Sequence, residues 1–565
     1  MHHFYMCLTS GNFKFFPGDK MAGKQNRDIG FGPKSGPSGG LNQYFSIPEN
    51  PPLAQKFLHE PESRSSLSEN ISSSPVIPPV YPVKVKPVSF WGLVALIFFS
   101  VSGGPFGAEP AVATGGPFWA LIAFFVFPIV WCIPEALMTS ELSSLFPGNS
   151  GFTSWITASF NSPFLGYVEG FCSFVSCATN SSVYPHLFQS YLSVHFPILE
   201  DYSTVCMSVF IMCMAYINYR GLDIVSSMGL VLMILIMTPF FLMAIFGARS
   251  VDPQNWLVGM STPPSVGSED LLALFNVLFW NLNNWDSIST IAGEVSNPRK
   301  IIPKAMFMAL LVIMSAYVVP LGIGIGWMTE TNDLSVWKPG YFQAVAYEIG
   351  GTWLALWILL AAIVSCMGQF QALISSCAYQ LEGMSELGWL PRWFNTQSRY
   401  DTPTVGLGIA VCIVLGLTQL QFIDILQYLN VVYAVAQSLE FSAFLWMRWK
   451  FADIPRPFKV PLGFAGCCLL MFLPYCFLLV IIGLPIATKR WDIVAVCVCT
   501  LTASFITYWA LEFTRKHKIF SFYREPPRTI EEIVLFHKTP KRSPLQEALL
   551  HRHDNHSLDG LNLDT

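Results

Sequence analysis

The sequence predicts an all-α, polytopic membrane protein of about 12 transmembrane helices, two of them broken inside the bilayer. Three observations carry that expectation. Of 565 residues, 52% are hydrophobic and only 12% charged, about half the charged share of a soluble globular chain. The apolar residues gather into stretches of roughly 20, the length needed to cross hydrocarbon. Two of these stretches carry polar residues, glycine or proline where the helix should continue. The net charge of −4 points to no nucleic-acid partner.

Residues 1–86 contain "GPKSGPSGG" and "ESRSSLSENISSSP", rich in Gly, Ser and Pro and poor in periodic apolar residues. They read as a disordered cytoplasmic tail. The Met1 end lacks a secretory signal pattern. The membrane domain is expected over residues 87–513. Its spans begin near Val88, Phe118, Pro163, Ser203, Leu222, Leu271, Lys304, Thr352, Thr404, Phe422, Phe464 and Trp491. Pro128 and Pro134 in the second span, and Pro320 in the seventh, are expected to kink their helices. Residues 514–565 form a polar cytoplasmic tail with basic "TRKHK" and a helix-like "RTIEEIVLFHK".

Basic residues of the short loops set the orientation. One side carries Arg220, Arg299, Lys300, Lys304, Arg392, Arg399, Arg448, Lys450, Arg456 and Lys459. The other carries mainly Arg249, Lys338, Lys489 and Arg490. The richer side is expected to be cytoplasmic, and an even span count puts both termini there. Nearly all of the 14 cysteines fall inside apolar spans, where they act as small hydrophobes. Their spacing matches no zinc site, so neither a metal nor a disulfide framework is expected. The sequons at Asn70 and Asn555 fall in cytoplasmic tails, where glycosylation is not expected.

The breaks say most about function. The first span reads "VSFWGLVALIFFSVSGGPFGAEPAVA". Pro105 has no backbone donor, and Gly103, Gly104 and Gly107 free the chain around it. The sixth reads "LFWNLNNWDSIST", with Asn281, Asn283 and Asn284 between Trp280 and Trp285, and Asp286 after them. Backbone groups cannot go unpaired in hydrocarbon, so such segments line a cavity or pack against protein. Two breaks at corresponding places in consecutive five-span blocks mark the substrate site of a secondary transporter. A substrate, water or ion would replace the lost helix bonds. The expected binding residues are Gly103, Gly104, Phe106, Gly107, Trp280, Asn281, Asn283, Trp285 and Asp286, with Tyr184 among the nearby aromatics. Trp446, Trp449 and Trp491 are expected at membrane interfaces.

Ionisable groups inside a membrane are costly and usually functional. The candidates are Glu109, Glu135, Glu141, Glu169, Asp286, Glu294 and Glu440. Glu109 and Asp286 flank the breaks, and either could meet a substrate ammonium or carry a coupled proton; Glu109 is the expected proton carrier. Structural pairing is expected for Glu135 and Glu141. The fifth span has no Lys or Arg after Asp223, so no buried cation there replaces sodium.

The segments "VSGGPFGAEPAV", "IPEALMTSELSSLFPGNSGF", "LFWNLNNWDSISTIAGEVSNPRKIIPKA", "YQLEGMSELGWLP", "SRYDTPT" and "RPFKVPLG" resemble the plant-type polyamine uptake transporters. These belong to the amino acid–polyamine–organocation superfamily. The resemblance runs from about Val88 to Phe513. It implies a LeuT-like fold of two inverted five-helix repeats plus two added spans, and alternating access, usually with proton-coupled uptake. On that resemblance, Gly103, Gly104 and Gly107 match the unwound first span. Trp280, Asn281, Asn283, Trp285 and Asp286 match the sixth-span pocket, and Glu109 the acid after the first break. The chain departs from the family where acids are usual: Asn180 and Ser181 precede "YP" in the third span, and Leu373 and Cys377 stand in the eighth. "GNSGF" replaces "ENGGY". A polycation wants several carboxylates or aromatic faces, so the neutral residues favour a neutral or monocationic substrate. Pro105 removes an amide donor that would hold an amino acid's carboxylate, which favours an amine.

The expected function is secondary transport of polyamines or related amines and amino acids. Its partners are a small-molecule substrate, a coupled proton and the lipid bilayer, and the expected location is the plasma membrane. A neutral or cationic amino acid carrier is the nearest alternative, and a nutrient receptor on a transporter fold the next. No HExxH, P-loop or dinucleotide fingerprint is present, so neither an enzyme nor a cofactor is expected. The asymmetric chain with two broken helices argues against a channel.

Overall fold

The computed structural model describes residues 88–527, apart from 194–195, 197, 266–268, 328–332, 421 and 525. The tail expected at 1–86, most of that at 514–565, both sequons and "RTIEEIVLFHK" lie outside the described residues. Within them the chain is helical, with only isolated bridges such as Val88 to Val295 in place of strands.

The first span begins at Phe90–Val101, capped by Ser89, whose hydroxyl accepts from Gly92 N at 3.1 Å. It stops at the expected break and resumes as Glu109–Phe127. Gly116, at φ 77°, turns that helix into the second span. A π-turn at Pro128–Cys132 absorbs the missing amide of Pro128 before Ile133–Leu145. A short helix, Gly151–Phe160, follows. The third span is Pro163–Ser181 continued by Val183–Ser193, the fourth Ser203–Tyr219 and the fifth Leu222–Gly247.

The same order then repeats. The sixth span is Glu269–Leu282, a break, and the 3₁₀ helix Asp286–Glu294. The seventh is Pro298–Gly326, and a short helix, Tyr341–Gly350, precedes the eighth, Thr352–Glu386. Thr404–Leu417 and Phe422–Lys450 complete the repeat. Both halves thus read broken span, long span, short helix, then three spans, which is the architecture of the inverted five-helix repeat. Phe464–Ala487 and Trp491–Lys516 are the two added spans.

Six helices are individually long and apolar enough to cross a bilayer, and shorter apolar helices accompany them. The apolar window of the eighth span is 61% buried, against 28% and 11% for the last two. The eighth is therefore central and the last two sit at the periphery. The span starts agree with expectation to within a few residues, while the two short helices were not anticipated. They are too short to show as spans, and each carries apolar residues that keep it from reading as a loop. The cysteines of the described residues are free thiols.

Candidate functional site

The two breaks face each other at the centre of the molecule. In the first, Gly103, Gly104 and Gly107 take φ of 65°, 116° and 86°, open to them for lack of a Cβ. Ser365 donates to Gly103 O at 2.6 Å, and Gln369 Nε2 to the Ser365 hydroxyl at 3.0 Å. Three amide donors of this break are accepted within the chain. Gly103 N donates to Phe98 O at 2.8 Å, Gly104 N to Ser102 Oγ at 3.2 Å, and Gly107 N to Glu109 Oε2 at 2.8 Å. The other Glu109 oxygen accepts from Gly340 N at 3.2 Å. Glu109 thus ties the break to the loop before the short helix Tyr341–Gly350, a partner that the sequence did not reveal. Phe106 packs edge-on to Tyr191 and Phe240, at 5.9 and 5.4 Å between centroids.

In the sixth span the helix ends at Leu282, and Asn284 adopts a left-handed φ of 67°, a conformation asparagine tolerates. Asn281 bridges the breaks: its Nδ2 donates to Gly107 O at 3.2 Å, and its own carbonyl accepts from Tyr317 OH at 2.8 Å. Trp280 lies over Gly107, donates to Asn180 Oδ1 at 3.1 Å and faces Tyr184 at 6.4 Å. Asn180 thus serves as the acceptor for the indole, a use for a neutral residue at that position. Asn283 Oδ1 accepts from Asn284 Nδ2, while Asn283 Nδ2 is buried with no hydrogen-bond partner. Trp285 is wholly buried and donates its indole to Leu282 O at 3.0 Å.

Below this break four acids from different spans converge, each at most 2% exposed: Glu135, Glu169, Asp286 and Glu440. Tyr433 of the tenth span is the hub. Its hydroxyl accepts from Asn284 N at 3.1 Å and lies 2.7 Å from Asp286 Oδ1 and 2.9 Å from Glu135 Oε1. The same Glu135 oxygen accepts from Trp285 N at 3.1 Å. A phenol has one proton to give. It can donate to one carboxylate only, so the second short contact is satisfied when the other carboxyl brings a proton of its own. Glu440 stands close enough to Asp286, Glu169 and Glu135 to interact with each. Glu169 Oε1 accepts from Ser173 Oγ at 2.7 Å. The described ion pairs involve none of the four.

Tyr433 was missed in the sequence, where one tyrosine in "VVYAVAQSLEF" looks like packing. The signal was its spacing: Tyr433, Gln437 and Glu440 recur at i, i+4 and i+7, one face of a helix. Glu141, six residues after Glu135, is kept out of this group. It pairs instead with Arg448 and Arg456 at 2.8 and 3.0 Å, the structural pairing expected of it. Among the described residues no group of acids, cysteines and histidines has the arrangement of a metal site.

A family model described as an amino acid permease matches residues 88–505. The chain is 39% identical over 446 residues to a probable polyamine transporter of Arabidopsis thaliana, an overlap of 78% of this chain and 90% of that protein. It is 38% identical over 447 residues to the polyamine transporter PUT1 of Oryza sativa subsp. japonica, covering 79% and 82%. Against the polyamine transporter RMV1 of Arabidopsis thaliana it is 37% identical over 435 residues, covering 77% and 87%.

Proposed function

We propose that this chain, which belongs to the amino acid permease family and is a multi-pass membrane transporter rather than an enzyme, is a proton-coupled secondary carrier of small organic amines, polyamines foremost, that works by alternating access. The substrate lies between the two breaks, against Gly103, Gly104, Phe106, Gly107, Trp280, Asn281, Asn283, Trp285 and Asp286. The observation that carries the reading is the meeting of two unwound segments, joined by Asn281 and Gly107 O at 3.2 Å above a set of buried acids. Intramembrane acids of this kind mark proton and cation paths.

Amines are favoured over amino acids by the state of the first break. The amides of Gly103, Gly104 and Gly107 already have acceptors, and Pro105 has none to offer. A substrate carboxylate that used those three amides would have to displace their bonds, whereas an ammonium finds carboxylates and the rings of Trp280 and Tyr184. The names of the relatives support the same choice. The shared proton of Tyr433, Asp286 and Glu135 supports proton coupling, with Glu109 and Asp286 the coupling acids. The basic loops support cytoplasmic termini, and we place the chain in the plasma membrane.

The test is uptake by purified protein in liposomes under an inward proton gradient, with radiolabelled putrescine and spermidine beside a pool of amino acids. Saturable, gradient-driven polyamine uptake that Asp286→Asn abolishes, with the variant eluting as a folded monodisperse protein, is expected. Amino acid accumulation alone would overturn the substrate reading. Undiminished uptake by Asp286→Asn would overturn the site, and binding without accumulation would leave a receptor.

A further inference from the structure

The acids beneath the sixth-span break outnumber what a single coupled proton needs. Asp286 and Glu135 share Tyr433. Glu169 and Glu440 do not hydrogen-bond that tyrosine, and they lie against each other. Both oxygens of Glu440 and the second oxygen of Glu169 are buried and receive no N–H or hydroxyl donor from the described residues. Gln437 is a separate observation. It is 0% exposed, and both its amide nitrogen and its amide oxygen lack a partner. Its place on the tenth span, four residues after Tyr433 and three before Glu440, puts it on the face those two residues present to the acids. An amide that forgoes two hydrogen bonds in a dry interior costs several kcal/mol. Such a side chain is kept where a ligand completes it.

The chemistry of that ligand follows from the lining. Carboxylates supply only acceptors, and Gln437 adds one more acceptor oxygen. Like charges at close range in a low-dielectric interior need a counter-charge or a shared proton. No described lysine or arginine forms an ion pair with this group. A cation rich in N–H donors answers both the charge and the acceptors. An ammonium group, with three donors, fits three acceptor groups.

We propose that Glu169, Glu440 and Gln437 form a second ammonium subsite, one that takes the far end of a diamine or polyamine whose first ammonium lies at the breaks. The proposal rests on the amine-carrier reading above and deepens it by naming how a polycation is told from a monoamine.

The experiment compares putrescine with n-butylamine, the same four-carbon chain with one ammonium, as competitors of radiolabelled putrescine binding to the purified full-length protein. In the wild type putrescine is expected to compete about tenfold or more better than n-butylamine, the scale of one charge-assisted contact. In Glu440→Gln and in Glu169→Gln the ratio is expected to fall toward one. Equal competition by the two amines in the wild type, a comparison that needs no variant to fold, would overturn the subsite. So would a wild-type ratio in both variants joined to loss of gradient-driven accumulation, which would make these acids proton carriers. If neither amine binds while amino acids do, the parent reading falls first, and the subsite with it.

Discussion

Gly107 shows how tightly the centre is built. At φ 86° its backbone is left-handed, and an added Cβ would come within 2.5 Å of Trp280 Cζ3. Gly116 has a similar φ of 77° but open space where a Cβ would stand. The two glycines separate backbone strain from steric overlap. Gly116→Ala should cost about 1–3 kcal/mol, the strain of its positive-φ extended backbone alone, at φ 77° and ψ 163°. Gly107→Ala should cost that plus about 1–3 kcal/mol of overpacking, and should push Trp280 off Asn180. Thermal melting of the purified variants measures the order, and a Gly107→Ala protein as stable as Gly116→Ala would show that Trp280 yields freely. At this scale, the positions where the helices stop were legible in the sequence, because only Gly, Pro and Asn serve such backbone and they stand out in an apolar run. The partners were not. That Glu109 would meet Gly340 N, or that Tyr433 would gather Asp286 and Glu135, depends on residues hundreds of positions apart being folded together. An acid in a span carries no mark of which neighbour it will find.

Among the elements, the second span shows how one helix can serve two ends. Glu135 and Glu141 are six residues apart, which turns them to different faces and separates them by about 9 Å along the axis. Glu135 reaches Tyr433 at the centre. Glu141, 1% exposed, accepts from Val460 N at 2.7 Å and pairs with Arg448 and Arg456. Arg448 also donates to Val460 O at 2.6 Å. The loop between the tenth and eleventh spans is thereby fastened to the end of the second. Removing one charge from a buried set leaves the others uncompensated, at about 3–5 kcal/mol. Glu141→Gln should therefore lower the melting temperature sharply, and Glu141→Gln combined with Arg448→Met should recover part of the loss. A single variant that melts with the wild type would remove the anchor. Span order and number were legible because hydrophobic runs report them directly. The short helices Gly151–Phe160 and Tyr341–Gly350 were not, since each is buried by neighbours that the local pattern does not reveal.

Those two short helices are what the repeat does at the scale of the whole molecule. Ahead of the first, Asn149 ties down the end of the sixth span: its Oδ1 accepts from Gly293 N at 2.8 Å and its Nδ2 donates to Glu294 Oε1 at 2.9 Å. Val88 N adds a bond to Glu294 O at 3.1 Å. Ahead of the second, Gly340 ties down the resumed first span through Glu109. Each half of the chain thus holds shut the broken helix of the other half, at opposite ends. With both clamps made, Phe106 and Trp280 at the two breaks are buried. A transporter that opens one side at a time needs these clamps to release separately, and each release shifts a population by tenfold per 1.4 kcal/mol. Charge-assisted bonds like those of Glu109 contribute about 1.5–3 kcal/mol each. Glu109→Gln should therefore raise amide hydrogen exchange over 102–108 and 334–350 while leaving 283–297 protected. Asn149→Ala should do the reverse. Exchange that rises in the same segments in both variants would mean that the two ends open together, and that the clamps are one lock rather than two.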